Sequence, residues 1–265
     1  MVIPREHGAW GMLLVPLATG GVVAAGSGEN LGVLVLFVVA ALSLFWLRTP
    51  VEAWLGTSAI KAQSPRERSA VRTVAIAIAG VSAATVAALF FFGYSRGLLM
   101  IGVVAALAFA VQAAVKKLGR SGRMPAQVMG AAGLTSTAAG AYYVASGRLD
   151  HIAFALWLAN WLFAGNQVHF VQVRIHSSRA STVNEKLRQG YAFFAGQLVL
   201  LGVVIVLCRI HVFPRAVVVA FLPALLRGSL WFLRGPHPLD VHKLGFSELA
   251  HALIFGALLS AAYLI

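Results

Sequence analysis

The sequence predicts an all-α fold, a polytopic bundle of about nine transmembrane helices in a single integral membrane domain over residues 1–265. Of the 265 residues, 60% are hydrophobic and 11% are charged, whereas average soluble domains are about 45–50% apolar and about 25% charged. The apolar residues form runs of roughly 20, the length that an α-helix needs to cross a bilayer. Gly, Pro and charged residues separate these runs and mark the ends of the helices.

Nine runs have this length and composition, and we expect each to form one membrane-spanning helix. The first run also has features of a secretory signal, because a basic residue precedes it and small residues end it. It is longer than a signal core of about 7–15 residues and another apolar run follows it, so we interpret it as the first helix. The runs lie near residues 8–26, 31–47, 70–93, 98–115, 126–146, 150–173, 190–208, 213–232 and 246–265.

Positively charged residues concentrate in every second break between the runs. Most of them fall in the breaks near 48–68, 116–125, 174–189 and 234–245. The breaks on the other side contain only Arg96, Arg148, Arg209 and Arg215. Because cytoplasmic loops carry the excess of Lys and Arg, we expect a cytoplasmic amino terminus and an external carboxyl terminus in the bacterial cytoplasmic membrane. A soluble protein with 21 basic and 8 acidic residues would suggest nucleic-acid binding, but apolar helices leave no surface for a duplex, so we expect no nucleic-acid partner.

The sixth run carries polar side chains with helical spacing. Its sequence NWLFAGNQVHFVQVRIH places Asn166, His169 and Gln172 three residues apart, so that they share one side of a helix, and Arg174 follows near its end. A membrane helix that only packs needs at most one such group to bond a neighbour. We therefore expect these residues to line a polar interior surface or a water-filled cavity.

The ninth run begins with a carboxylate and an imidazole one turn apart. In KLGFSELAHALIF, Glu248 and His251 stand at positions i and i+3 and share a face. One interpretation is structural, with Ser247 capping the helix and Glu248 favoured in its first turn by the helix dipole, but it leaves His251 unexplained. Glu-x-x-His is also half of a carboxylate-bridged metal site, and His ligates haem. One copy of the motif and a single cysteine, Cys208, supply too few ligands, so we predict no metal site.

Arg5, Glu6 and His7 directly precede the first apolar run. Arg5 alone would satisfy the positive-inside rule, whereas Glu6 and His7 would be desolvated at the membrane boundary unless they find partners. We expect them to join a shared polar cluster at the cytoplasmic end of the bundle, in preference to forming only a solvated flank. The predicted members of this cluster are Glu6, His7, His169, Arg174, Glu248 and His251.

Three segments of the chain resemble the YwiC-like family of bacterial membrane proteins. They are IPREHGAWGMLLVP at the amino end, NQVHFVQVRIH in the sixth run and HKLGFSELAHALIFG near the carboxyl end. The resemblance extends over nearly the whole length. It implies a multi-pass membrane protein and does not by itself imply a reaction.

The expected helices, the cytoplasmic amino terminus and the polar elements after the second and sixth helices are also similar to the UbiA-type membrane prenyltransferases. This more distant resemblance implies a UbiA-like arrangement, in which Asp-rich motifs hold Mg²⁺ around an isoprenoid diphosphate. The present chain lacks those motifs, because WLRTPVEAW has Glu52 as its only carboxylate and NQVHFVQVR has none. Arg48, Arg174 and Lys243 are instead suited to direct contact with an anionic headgroup.

Three functions are compatible with these features. The first is binding or modification of an amphipathic membrane lipid, isoprenoid or quinone, by a UbiA-like transferase if the protein is an enzyme. The second is transport of a small anion, and the third is membrane assembly without a small-molecule site. The sequence identifies no cofactor. The candidate catalytic residues are His169, Glu248 and His251, since a His beside a carboxylate is the arrangement of a general base. The candidate substrate-binding residues are Arg5, Glu6, His7, Arg48, Glu52, Asn166, Gln172, Arg174 and Lys243.

Overall fold

The computed structural model describes residues 7–25, 31–54, 64–119, 121–180, 182–233 and 239–265. These residues form α-helices joined by short turns, and no strand occurs among them. The helices are α1 (His7–Ala25), α2 (Leu31–Trp54), α3 (Pro65–Leu89), α4 (Ser95–Lys116), α5 (Arg123–Thr135), α6 (Thr137–Ser146), α7 (His151–His176), α8 (Val183–Arg209), α9 (Val217–Leu233) and α10 (Val241–Leu264). The predicted all-α fold is confirmed.

Several of these helices are long and apolar enough to cross a membrane. Five such stretches occur in the described part of the chain. They are 8–25, 31–51, 65–116, 183–209 and 241–264, of which the third combines α3 and α4. An apolar surface of this extent is stable only in lipid, where helices satisfy their own backbone groups. The fold is therefore the bundle of membrane helices that the composition predicts.

The centre of the bundle is formed by α1, α6, α7, α8, α9 and α10, whose buried apolar side chains share one cluster. Phe163 of α7 and Phe255 of α10 stack within it, with ring centroids 4.0 Å apart. α1 and α6 approach so closely that a Cβ atom on Gly20 would clash with the carbonyl oxygen of Ala138. Small residues permit this backbone contact between membrane helices.

The predicted run 126–146 is divided into α5 and α6 at Ser136. Three consecutive hydroxyl groups donate to carbonyl oxygens of the preceding turn: Thr135 Oγ1 to Ala131 O at 2.8 Å, Ser136 Oγ to Gly133 O at 2.7 Å and Thr137 Oγ1 to Leu134 O at 2.8 Å. Such bonds compete with the helical ladder and bend helices. The run GAAGLTSTAAG thus packs within the chain and also interrupts the helix.

α3 and α4 form a hairpin that is interrupted at Gly93, where the predicted break at 93–97 begins. A π-helical turn, Phe90–Tyr94, joins them, and Gly93 takes a φ of 90° there. A residue with a side chain adopts this left-handed conformation only at a cost, so glycine suits the position. α3 packs on α2 and α4 packs on α5, but contacts between α3 and α4 themselves are few within the described hairpin.

α8 and α10 begin earlier than predicted, at Val183 and Val241 in place of 190 and 246. Thr182 caps α8, its side chain accepting from the Glu185 N–H, and Asp240 caps α10, its carboxylate accepting from the N–H groups of His242 and Lys243. Hydrogen bonds from these backbone N–H groups lower the pKa of Asp240, and the bond from Lys243 has the largest effect. Because their first turns are polar, neither helix start lies in an apolar run of the sequence.

Candidate functional site

α7 contributes three buried polar side chains to the interior of the bundle, those of Asn160, Asn166 and Gln167. Asp150 starts it by accepting hydrogen bonds from the N–H groups of Ile152 and Ala153. Its 26 residues make it about 39 Å long, enough to cross the hydrocarbon core of about 30 Å. It packs on α1, α5, α6, α8 and α9, and side chains such as Phe163 and Gln167 reach α10. Different faces of α7 therefore meet different neighbours, and its polar residues are distributed among them.

A groove lies between α5 and α8, with α7 as its floor. α5 and α8 both pack on α7. The groove has a volume of about 260 Å³, and its apolar walls include Val128, Trp161, Leu162 and Leu200. The Trp161 indole N–H donates to the Val128 carbonyl at 2.9 Å, so the polar atom of this wall is already bonded. Three polar side chains line the groove beside these walls: Asn166, His169 and Gln197.

Asn166 of α7 and Gln197 of α8 form a reciprocal amide pair in the groove. Gln197 Nε2 donates to Asn166 Oδ1 at 2.7 Å, and Asn166 Nδ2 donates to Gln197 Oε1 at 3.5 Å. Both residues are buried. Each amide carries two donor hydrogens and one oxygen with two lone pairs, so each keeps one donor and one acceptor position.

His169 lies one helical turn beyond Asn166 and lines the same groove. Its ring meets Phe193 edge to face, with centroids 5.1 Å apart, and its Nδ1–Cε1 edge lies beside Gly196. Neither ring nitrogen hydrogen-bonds to another residue in the described part of the chain. The side chain is half-buried. His169 thus presents an imidazole without a polar partner in mainly apolar surroundings.

Gln172 continues the same side of α7 toward the end of the helix. Its Nε2 donates to Gln127 Oε1 of α5 at 2.8 Å. Next along the chain, His176 Nδ1 lies 2.7 Å from the Gln172 carbonyl oxygen. The hydrogen bond between the side chains of Gln172 and Gln127 connects α7 to α5 at the end of the groove that is nearest the start of α5.

A buried ion pair lies on another part of α7, where this helix meets α9 and α10. The Arg227 guanidinium of α9 pairs with the Glu248 carboxylate of α10, and it also lies 4.1 Å from the centroid of the Phe170 ring. Gln167 Nε2 donates to the Glu248 backbone carbonyl at 2.8 Å. Beyond their contact with each other, the charged groups find no hydrogen-bond partner among the described residues. The two charges therefore neutralise each other inside the bundle.

Two aromatic rings separate the groove from the ion pair. Phe193 is fully buried, and its ring contacts both His169, at 5.1 Å, and Phe170, at 5.5 Å, between centroids. Phe170 in turn carries Arg227 on its face. The polar groove and the charged pair are thus neighbouring but distinct regions, on either side of this aromatic wall of Phe170 and Phe193.

Lys186 of α8 is a second buried cation near the wall. Its Nζ donates to the Trp231 carbonyl oxygen and lies 4.3 Å from the centroid of the Trp231 ring. A backbone carbonyl and an aromatic face both stabilise a cation away from water. Arg174 is half-buried and lies near enough for its charge to act on Lys186.

The profile of the YwiC-like protein family matches residues 3–143, which is 141 of the 265 residues. The chain belongs to the YwiC-like protein family. With its apolar helices, this membership establishes an integral membrane protein. No curated protein matches the chain. The family match covers α1 to α5 and most of α6, so the groove residues of α7 and α8 lie outside it and must be interpreted from this chain alone.

In this member of the YwiC-like family, the predicted site residues of α7 and α10 fall into separate regions. Asn166 and His169 line the groove, whereas Glu248 pairs with Arg227. Ser247 does not cap α10, because that helix starts at Val241 and places Glu248 two turns inside it. His251 is half-buried, and its Nδ1 lies 2.7 Å from the Ser247 carbonyl oxygen of its own helix.

Among the side chains that the structure describes, none of the remaining predicted residues lines the groove. Arg48 is half-buried in α2, and Lys243 is exposed, with its Nζ 3.6 Å from the Asp240 carboxylate. Arg5 and Glu6 lie outside the described residues. His7 begins α1 and Glu52 lies in α2, but their side chains are also outside what the structure describes.

Arg227 and Gln197 are the two site residues that sequence analysis missed. Arg227 interrupts the apolar run 213–232, and a charge at such a position needs a partner inside the protein. Glu248 in the next run was the available acid. Gln197 offers a weaker signal, as one amide in the apolar run 190–208.

The described residues contain no group of three or more His, Cys, Asp and Glu side chains that could hold a metal ion. Glu248 of the Glu-x-x-His motif is occupied by Arg227. The groove therefore offers hydrogen bonds and apolar contact, and the described lining contains no carboxylate.

Proposed function

We propose that this protein binds an amphipathic lipid, such as an isoprenoid, with the polar head in the groove between α5, α7 and α8. The observation that carries the proposal is His169, whose side chain lines the groove and whose ring nitrogens have no hydrogen-bond partner among the described residues. A polar group without a hydrogen-bond partner is costly in an apolar environment. The head of a lipid that bonds His169, Asn166 or Gln197 would remove this cost.

The groove is large enough for the head of a lipid but too small to enclose a drug-sized molecule. Its volume of about 260 Å³ lies just below the roughly 300–1,000 Å³ of sites that enclose drug-sized molecules. Its apolar walls can cover the first part of one chain, and the rest of the chain would lie in the bilayer. This geometry favours a single-chain lipid that enters from the side of the bundle.

We propose that the groove binds the lipid and does not catalyse a reaction on it. A transferase of the UbiA type requires carboxylates that hold Mg²⁺, and the described lining of the groove supplies none. A His with a neighbouring carboxylate would serve as a general base, but Glu248 pairs with Arg227 beyond the aromatic wall. An anion transporter is less well supported, because Arg227 is already neutralised.

Photolabelling with a matched pair of variants tests the proposal. The probe is a diazirine analogue of farnesol, and the protein is reconstituted in nanodiscs. We expect labelling of α7 and α8 that unlabelled farnesol competes away. Gly196→Leu should reduce this labelling at least about fivefold, because Gly196 lines the groove. Gly202→Leu on the same helix should have no effect, since a side chain there meets open space. Labelling spread over the exposed helices, without competition, would refute lipid binding in the groove.

We also propose that the protein lies in the bacterial cytoplasmic membrane with its amino terminus inside and its carboxyl terminus outside. The excess of Lys and Arg in alternate breaks supports this orientation. A reporter fused after Ile265 should report an external position, and one inserted in the break before α8 should report a cytoplasmic position. The opposite pattern would reverse the assignment.

A further inference from the structure

We infer that the groove selects a lipid with a hydroxyl head and rejects the same lipid with a phosphate head. This inference rests on the proposed function and names the class of ligand that the groove takes. The headgroup preference follows from three observations. The lining is uncharged, the nearby buried cations already interact with other groups, and the polar side chains of the groove include both donors and acceptors.

The described lining of the groove carries no fixed charge. Its members are apolar residues, glycines, the two amides and His169. An anionic head would lose its hydration there without meeting an opposite charge, and such a transfer is strongly unfavourable. A neutral head loses far less hydration and can recover it through hydrogen bonds.

Two buried cations of the neighbouring helices, Arg227 of α9 and Lys186 of α8, are directed elsewhere. Arg227 pairs with Glu248, and the Phe170 ring covers it. Lys186 donates to the Trp231 carbonyl and lies over the Trp231 ring. The aromatic wall separates Arg227 from His169, because Phe193 contacts both His169 and Phe170. An anion in the groove could not contact Arg227 without displacing buried rings.

The free hydrogen-bonding positions of the groove include both donors and acceptors. The amide pair keeps one donor and one acceptor on each residue, and a neutral His169 adds one of each. A hydroxyl group donates one hydrogen bond and accepts others, so it uses both kinds of position. A phosphate only accepts, and it would leave the acceptors of the groove unpaired. A hydroxyl head therefore matches the groove most completely.

Three competitors with one common chain separate these contributions: farnesol, farnesyl methyl ether and farnesyl diphosphate. Each competes with the diazirine analogue of farnesol for labelling of the nanodisc-reconstituted protein. We expect farnesol to compete best. The methyl ether accepts but does not donate, and we expect it to be about tenfold weaker, the effect of one lost hydrogen bond. We expect the diphosphate to be weaker than farnesol by at least about a hundredfold.

The outcomes distinguish this inference from the proposed function. If the diphosphate competes as well as farnesol, and Gly196→Leu weakens both, the inference on the headgroup is overturned while lipid binding in the groove stands. If the methyl ether equals farnesol, donation by the head is not recognised and the hydroxyl preference is overturned. If no competitor reduces labelling of α7 and α8, or if Gly196→Leu acts no differently from Gly202→Leu, both the proposed function and this inference fail.

Discussion

The groove and the ion pair differ in how fully their polar groups are paired, although α7 takes part in both. In the groove, Asn166 and Gln197 satisfy each other only in part, and His169 has no hydrogen-bond partner among the described residues. In the ion pair, Arg227 and Glu248 contact each other and lie under the cover of aromatic and apolar side chains. The charged groups are paired with each other, whereas the half-buried His169 lines the groove without such a partner among the described residues.

This difference follows from the cost of exposing each kind of group to lipid. An unpaired charge in a membrane costs more than an unpaired amide or imidazole. The fold therefore pairs its charges internally, which makes Arg227 and Glu248 structural. It can leave His169 available for an external partner, which makes the groove the better candidate for function.

The largest effect in either region is expected when the ion pair is broken. Arg227→Leu leaves the Glu248 carboxylate buried without a counter-charge, and we expect it to lower the free energy of unfolding by about 3–5 kcal/mol. Unfolding by SDS in mixed micelles measures this change. Farnesol competition in nanodiscs should stay close to that of the unaltered protein, because the aromatic wall separates the two regions.

The double variant Arg227→Leu with Glu248→Leu is the matched control. Replacing both charges by apolar side chains should recover most of the lost stability, since buried ion pairs are often no more stabilising than apolar residues of similar volume. A double variant that is as unstable as the single one, or a single variant that loses farnesol binding while it remains folded, would show that the pair serves more than structure.

An intermediate effect is expected within the amide pair. Gln197→Leu leaves the Asn166 amide buried with one fewer partner, and we expect a loss of about 1–3 kcal/mol in the same unfolding assay. Gln189→Leu, on the exposed part of α8, should change stability by no more than about 0.5 kcal/mol. Equal effects at both positions would mean that the pair contributes nothing beyond the helix itself.

The smallest effect on stability is expected at His169. His169→Phe keeps an aromatic ring against Phe193 and removes no hydrogen bond to a described residue, so the free energy of unfolding should change by less than about 1.5 kcal/mol. Competition by farnesol should weaken about tenfold, because one polar contact with the head is lost. A large loss of stability with unchanged competition would assign His169 to the structure and would remove the contrast between the two regions.

The sequence predicted the helices better than it predicted their contacts. Apolar runs identify membrane helices because lipid leaves the backbone no other way to satisfy its polar groups. The helix starts at Val183 and Val241 were missed, since their first turns are polar and are fixed by caps at Thr182 and Asp240. Such caps depend on local side chains that a search for apolar runs does not weigh.

For the candidate site, helical spacing was enough to place Asn166 and His169 on one side of α7. It was not enough to find Gln197 as the partner of Asn166 or Arg227 as the partner of Glu248, because these contacts depend on which faces of different helices meet. That choice is made by packing over the whole bundle, for example the close contact of Gly20 with Ala138.

The hairpin of α3 and α4 affects which part of the molecule unfolds first. Little of its surface is covered by protein, and Phe91 at its tip is 89% exposed. Its cohesion with the rest of the molecule thus depends on the surrounding lipid more than on the core around Phe163 and Phe255. When detergent replaces the bilayer, we expect α3 and α4 to loosen before the centre of the bundle, with backbone amides that exchange with deuterium before those of α7 and α10.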